Sequence, residues 1–491
     1  NPFMLMRDTD HSVVSGLFVD WGLDDEGFSF TVHPDATWQD GNPIIADDVQ
    51  WSIYAQRGDF PEFLGHSSAN RFQEEIKQVD VYDDKSGKII TNVPVPDFTA
   101  FYSGEGYHQV HVGNPHKLKE LGIDALEKDY AMAGGGPYSV VEFKPSERII
   151  LERWEDFWGN TPWLHKPQHQ TLEVILSTDE AARYALLRSG QVDMTVNIPY
   201  VVAKDLPRSE NFVGRGINPD QGDVWTQTVT GTGNMNIDFV NLMSDSLNPP
   251  TPEEVKPFDD IRVREAFELA IDKTAISENA HFGFTLPMTS LWFSDSFGFN
   301  AAMEVSEYNP EKAKQLLEEA GYGDGFKTEI YFGPFVNSPG QQEWLGAAAS
   351  YLSKVGIELE IFETPTQEFY SRCCFGAPDA LERPYRPLIV QTWGRQEHAG
   401  VLVNYGYHQT GAYICCWDEV TEQAWNDLRT TDKASQQATL NKIEKHVLDN
   451  RWVMPMVEVG VVNGYDNRVL AHPTAPHASS FEQLWRIVTA D

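Results

Sequence analysis

With 73 aspartates and glutamates among 491 residues, acid–base chemistry is the first possibility the chain raises. A carboxylate pair that cleaves a glycosidic bond must face its partner across a cleft, roughly 5–9 Å apart. Pairs such as Asp259/Asp260 and Glu318/Glu319 are adjacent in sequence and read as solvated surface or helix caps. No G-x-S-x-G elbow, H-E-x-x-H pair or phosphate-binding G-x-x-x-x-G-K-[ST] occurs. The run Gly134-Gly135-Gly136 lacks the Lys-Ser/Thr of a phosphate loop and leads into a strand-like stretch, so it reads as a tight crossover. His108 and His111 alternate as on a strand and face opposite sides. His165 and His169 enclose Pro167, which spoils an i, i+4 helical pair, so neither couple makes a metal site. The four cysteines form two adjacent pairs, Cys373-Cys374 and Cys415-Cys416, without zinc or redox spacing. In an oxidising compartment one or two bridges between the pairs would staple two loops; otherwise they are four buried thiols. No catalytic, metal or cofactor constellation stands out, and a secreted acidic hydrolase remains only as the rival reading.

A chain of 491 residues exceeds one hydrophobic core and implies two or three lobes. A hydrophobic fraction of 41% argues for globular packing. The net charge of −36 repels nucleic acid and anionic lipid and suits a salty exterior. No run of eighteen apolar residues is present, so nothing in the sequence spans a bilayer. The chain opens on Asn1-Pro2-Phe3 without an initiator Met or signal peptide, which reads as a processed or partial chain.

Residues 12–19 and 28–32 alternate as strands around an Asp24–Gly27 turn, and a helix follows from Ala46. Strand patterns recur at 78–82, 88–93 and 171–175, with helices at 117–126 and 181–188. The most regular helix signal is residues 257–276. Asp260 sits at its cap, and Val263, Ala266, Phe267, Ala270 and Ile271 form one apolar stripe. Asn309-Pro310 opens another helix that Gly321 closes. Strands at 328–332 and 357–363 flank a helix at 341–355, the alternation of an α/β lobe. A buried-type strand at 387–393, a helical pair at 419–449 and a strand at 453–462 follow.

Several of these segments carry more than periodicity. Trp38, Asp40, Gly41, Pro43, Ala46, Asp48 and Val49 resemble the signature of family 5 extracytoplasmic solute-binding proteins, the peptide, oligopeptide, nickel and oligosaccharide type. So do Gly134, Gly136, Pro137, Tyr138, Glu152, Arg153, Phe157, Trp158 and Gly159. Leu187-x-Ser189-Gly190-x-Val192-Asp193 and Phe258-x-Asp260-x-Arg262-Val263-Arg264-x-Ala266 complete the order. Three departures are visible. Ile45 replaces the usual Ser/Thr cap. The family's opening strand–helix segment, with any lipid-anchored or cleaved leader, is expected ahead of residue 1. Between Arg372 and Leu388 a long CCFGAPDALERPYRP insertion stands where the family has a short turn.

The resemblance implies an α/β two-lobed periplasmic-binding-protein clamshell (type II-like, cluster C) with an extra subdomain. Residues 1–134 would form the extra subdomain, 135–235 the first lobe, 236–464 the second, and 465–491 a return to the first. It further implies a non-enzymatic receptor in the periplasm or outside the cell. Such a receptor carries no cofactor and delivers a small solute, oligosaccharide or peptide, to ABC permease subunits; a nickel or metal-chelate receptor of the same fold is an alternative. The cargo would lie at the exit of the 387–393 strand, where peptide receptors of the family place Trp-x-x-Asp. Here Trp393 is followed by Arg395, Gln396 and Glu397, with Gln396 in the Asp position. A neutral amide cannot make the charge-assisted bond, although Glu397 would if re-aimed, and Arg395 could clamp a carboxylate. Alternatively Arg395 and Glu397 pair with each other. Trp225, Trp292 and Tyr405 are further cleft candidates for stacking on the cargo.

Overall fold

The structure, a computed structural model, describes residues 2–489 apart from 9–11, 61–68, 103–111, 122–133, 178, 207, 210–223, 230–235, 243–255, 334–337, 366–368, 370–387, 410, 412–415, 431, 467 and 473–483. Its N-terminal part is an antiparallel sheet in the order Phe18–Asp24, Gly27–Val32, Ser86–Thr91, Ile76–Val81. The alternation of residues 28–32 buries Phe28, Phe30 and Val32 on one face. Asp24 Oδ1 accepts the Glu26 and Gly27 N–H at 2.9 and 3.0 Å, and Gly27 has φ +142°, so the turn forms from its own residues.

Helix Ala46–Arg57 covers this sheet. Ile45 provides no side-chain cap, as its residue type requires. Asp48 reaches back instead: its Oδ2 accepts the Ile45 N–H at 3.1 Å and Trp38 Nε1–H at 3.0 Å. The half of a capping box that survives also anchors the signature tryptophan.

Beyond the glycine run, Tyr138–Lys144, Arg148–Arg153 and Thr171–Ile175 form a three-stranded antiparallel sheet. Two larger sheets follow. One has the order Met194–Thr195, Val461–Asp466, Val224–Val229, Arg208–Ser209. The other is six-stranded and mixed, in the order Thr285–Pro287, Val453–Val459, Asn236–Asn241, Leu388–Gly394, Phe326–Phe332, Ile357–Glu363. Helices Ile261–Leu269, Pro310–Glu319 and Gln341–Ser353 pack on it and share one apolar core with its strands.

The helix read across 257–276 divides in two. Asp260 caps Ile261–Leu269 by accepting the Arg262 N–H at 2.8 Å, and Asp272 caps a second short helix, Lys273–Ala275. A second Asx cap inside a continuous stripe marks a fresh start that apolar periodicity conceals. The helix expected at 117–126 begins at Pro115 and is described to Leu121.

The strand read as 453–462 also divides, at Gly460. Val453–Val459 belongs to the six-stranded sheet and Val461–Asp466 to the four-stranded one. The chain crosses between the same sheets from Val224–Val229 to Asn236–Asn241. Among the described strands the chain thus passes twice from one sheet to the other.

The largest apolar core unites Phe28, Trp38, Phe72 and Phe98 of the N-terminal part with Trp292, Trp393, Tyr405, Leu440 and Val447. Helix Ala399–Tyr407 lies inside it with every residue buried, the mark of a helix covered on all sides. Among the described residues no helix is long and apolar enough to cross a membrane.

Candidate functional site

Strand Leu388–Gly394 alternates between two environments. Leu388 and Val390 enter the core beneath the six-stranded sheet, whereas Trp393 points to the opposite face and joins the core shared with the N-terminal part. The segment 395–398 then turns into helix Ala399–Tyr407, whose cap is His398: its Nδ1 accepts the Gly400 N–H at 3.0 Å. The ring of His398 stacks on Phe297 at 4.8 Å, and burial lowers its pKa. A parallel run, 294–297, fastens the segment from the side. Ser296 Oγ donates to Gln396 O, and Phe297 N–H donates to Glu397 O at 2.8 Å.

Within this frame Trp393 packs on the helix at Gly406, where a Cβ would overlap the indole. Its ring meets Tyr407 edge-on at 6.0 Å, and Trp292 meets the same tyrosine at 6.3 Å. Tyr405 is buried against Phe101 of the N-terminal part, 6.1 Å between centroids. Trp393, Trp292 and Tyr407 therefore form one aromatic cluster, and Tyr405 belongs to the same apolar core. Strand Val224–Val229 places Trp225 in the four-stranded sheet, in register with Tyr465.

The charged candidates are paired, but not with each other. Arg395 Nε donates to both oxygens of Asp295 at 3.0 and 3.2 Å, and Nη2 lies 2.9 Å from Asp295 Oδ2. Glu397 pairs with Arg7 from strand Leu5–Arg7, and Arg7 Nη2 also donates to Thr99 O at 3.2 Å. Burial raises the Glu397 pKa, opposed by Arg7 and Arg395 and reinforced by Asp295. Gln396 is buried, its Nε2 donating to Gly394 O at 3.4 Å. No sequence motif marks Arg7 or Asp295 as a site residue. Each is a partner brought in by folding, 390 and 100 positions away in the chain, with no local motif to flag it.

A second polar cluster lies at the crossings. Asp238, on the strand that enters the six-stranded sheet, is fully buried. Its Oδ1 accepts from Ser338 Oγ (2.7 Å), Thr392 Oγ1 (2.7 Å) and Gln341 Nε2 (3.2 Å); its Oδ2 accepts from Trp344 Nε1 (3.1 Å). Burial pushes its pKa up to about 6 despite these four donors. Nearby, Tyr200 OH donates to Gly460 O at 2.6 Å, and its ring stacks on Phe284 and meets His281 edge-on.

Among the described residues no group of three or more His, Cys, Asp or Glu could hold a metal ion. His169 Nε2 lies 3.2 Å from Ile487 O; His108 and His111 lie outside the described residues. Cys416 is buried, its N–H donating to Gly406 O at 3.3 Å, and Cys373, Cys374 and Cys415 lie outside the described residues. A cavity of about 420 Å³ sits between strand Thr171–Ile175, helix Glu180–Arg188 and residues 484–489, and none of the candidate residues lines it.

Comparison with known proteins then supplies the family. The model for bacterial extracellular solute-binding proteins, family 5 Middle, matches residues 12–382. The chain belongs to this family. Heme-binding protein A of Haemophilus influenzae is 26% identical over 369 residues, which is 69% of this chain and 59% of that protein. The dipeptide-binding protein of Escherichia coli is 25% identical over 388 residues, 73% of this chain and 65% of that one. This chain thus spans less than two thirds of the length of these curated relatives.

Solved structures agree on the fold. A dipeptide-binding protein from Pseudoalteromonas in complex with Met-Leu superposes with a TM-score of 0.80 at 18% identity, covering 100% of this chain and 94% of that one. NikZ from Campylobacter jejuni in complex with Ni(L-His) gives 0.79 at 18% identity, covering 99% and 93%. The family 5 fold is the two-lobed α/β clamshell anticipated from the sequence motifs.

Proposed function

We propose that this chain is an extracytoplasmic receptor that encloses a small solute between its lobes and delivers it to the permease of an ABC importer. The observation that carries the reading is that consecutive strands of the chain, Val224–Val229 then Asn236–Asn241 and Val453–Val459 then Val461–Asp466, lie in different sheets in a chain of this family. Two passages of the chain between the sheets suit a hinge, and ligand contacts made only when the lobes meet shift the equilibrium toward closure. Relatives named for heme, dipeptides and glutathione support a small-solute cargo. Within that class we take oligosaccharide or peptide as the cargo, held near Trp393, Arg395, Gln396 and Glu397.

The test is a thermal-shift screen of peptides, oligosaccharides and nickel chelates, followed by small-angle scattering on any hit. A true cargo raises the melting temperature, binds stoichiometrically and reduces the radius of gyration. Stabilisation without compaction would refute hinge closure. Conversion of a probe to product would favour a hydrolase instead.

A further inference from the structure

The ion pairs at the 395–398 segment bear on the chemistry of the cargo. Glu397 is the carboxylate in the segment 395–398, and Arg7 holds it from another part of the fold. Arg395 is the guanidinium of the same segment, and Asp295 holds it through three close N–O approaches. A ligand ammonium that sought Glu397 would have to displace a buried Arg7 and leave that cation without its carboxylate, a loss comparable to what the new contact gains. A ligand carboxylate that sought Arg395 meets the same obstacle at Asp295.

Neutral polar groups are also buried here. Gln391 lies two residues before Trp393 on the same face of the strand and is 2% exposed. Neither its amide nitrogen nor its carbonyl oxygen has a hydrogen-bond partner among the described residues. Asn404 Nδ2, on the helix that receives the Trp393 ring, and Trp292 Nε1, in the same aromatic cluster, are likewise buried without one among the described residues. Leaving buried amide groups unmade costs on the order of 1–3 kcal/mol each, so they are positions where a ligand or its water gains most.

We infer that the cargo is uncharged where it meets this segment, a ligand of hydroxyl and amide groups, and that Arg7 is the residue that sets this specificity by occupying Glu397. The inference rests on the receptor reading above and narrows its substrate class. An oligosaccharide and an end-blocked peptide share this chemistry; a peptide with a free amino terminus does not.

The experiment compares four probes by calorimetry on the full chain: maltotriose, alanyl-phenylalanine with free termini, the same dipeptide acetylated and amidated, and the dipeptide N-succinylated. Wild type is expected to bind maltotriose or the blocked dipeptide at least tenfold more tightly than the free one. Arg7→Met, which removes the guanidinium paired with Glu397, is expected to raise affinity for the free dipeptide at least tenfold while the neutral probes change less than threefold. Glu397→Gln serves should Arg7→Met fail to fold. It leaves Arg7 uncovered and is expected to favour the N-succinylated dipeptide, whose added carboxylate replaces the ammonium. Preference of wild type for the free dipeptide, or an unmoved ratio in both variants, overturns the inference and leaves the receptor reading standing. Binding of no probe by any of the proteins, with no stabilisation in the wider screen, overturns both.

Discussion

Replacing Asp238 by Asn should remove a defined part of the pH dependence of stability. Asp238 is fully buried and its carboxyl is pushed up to about 6 from an ordinary 3.8. The native state therefore holds a proton between those values that the unfolded chain has released. Stability contributed by this group is present below about pH 4 and is lost as pH rises through 6, the reverse of a salt-bridged aspartate. A difference of about two pH units corresponds to about 3 kcal/mol at about 1.4 kcal/mol per unit. In D238N the amide oxygen can occupy the Oδ1 position, where Ser338, Thr392 and Gln341 donate, and the amide nitrogen then faces Trp344 Nε1 donor to donor. That mismatch costs about 1–3 kcal/mol at every pH. Above pH 7 it is offset by removal of the buried charge, so wild type and variant should lie within about 1 kcal/mol of each other. At pH 4 the variant should be the less stable by about 2–3 kcal/mol. Urea unfolding of both proteins from pH 4 to 7.5 gives the difference curve, from which other titrating groups cancel. A flat difference curve, or one in which the variant loses ground as pH rises, would refute the reasoning.

Other outcomes follow from single contacts. Gly406→Ala forces a methyl group into the Trp393 ring and should cost about 1–3 kcal/mol in urea unfolding, with a changed near-ultraviolet tryptophan spectrum; an unchanged spectrum and midpoint would contradict the packing. Tyr200→Phe removes only the bond to Gly460 O and should cost about 1 kcal/mol. It should also alter the ligand-free scattering profile, because Gly460 lies at a crossing between sheets, and an identical profile would remove Tyr200 from the hinge. With a net charge of −36, the melting temperature should rise by a few degrees as KCl increases from 0.1 to 1 M and the screening length shortens from about 10 to about 3 Å. A flat or falling curve would show that like-charge repulsion does not limit this fold.

The sequence by itself determined what adjacent residues decide among themselves. Asp260, Asn309 and Asp24 accept amides two or three positions ahead, and each helix start or turn forms where those residues stand. The motifs from Trp38 to Ala266 likewise carried the family, because they encode local turns, caps and close approaches within a few residues. Tertiary structure decided the rest. No periodicity told a continuous strand at 453–462 from two strands meeting at Gly460, since the run is buried throughout while the partners change sheet. Helix Ala399–Tyr407 is apolar on every side and has no stripe to betray it. Most of all, the sequence presented Arg395 and Glu397 as neighbours free to pair or to bind cargo, and only the fold assigned them Asp295 and Arg7. An ion pair depends on which side chains converge in space, and convergence over hundreds of residues is settled by packing, not by spacing.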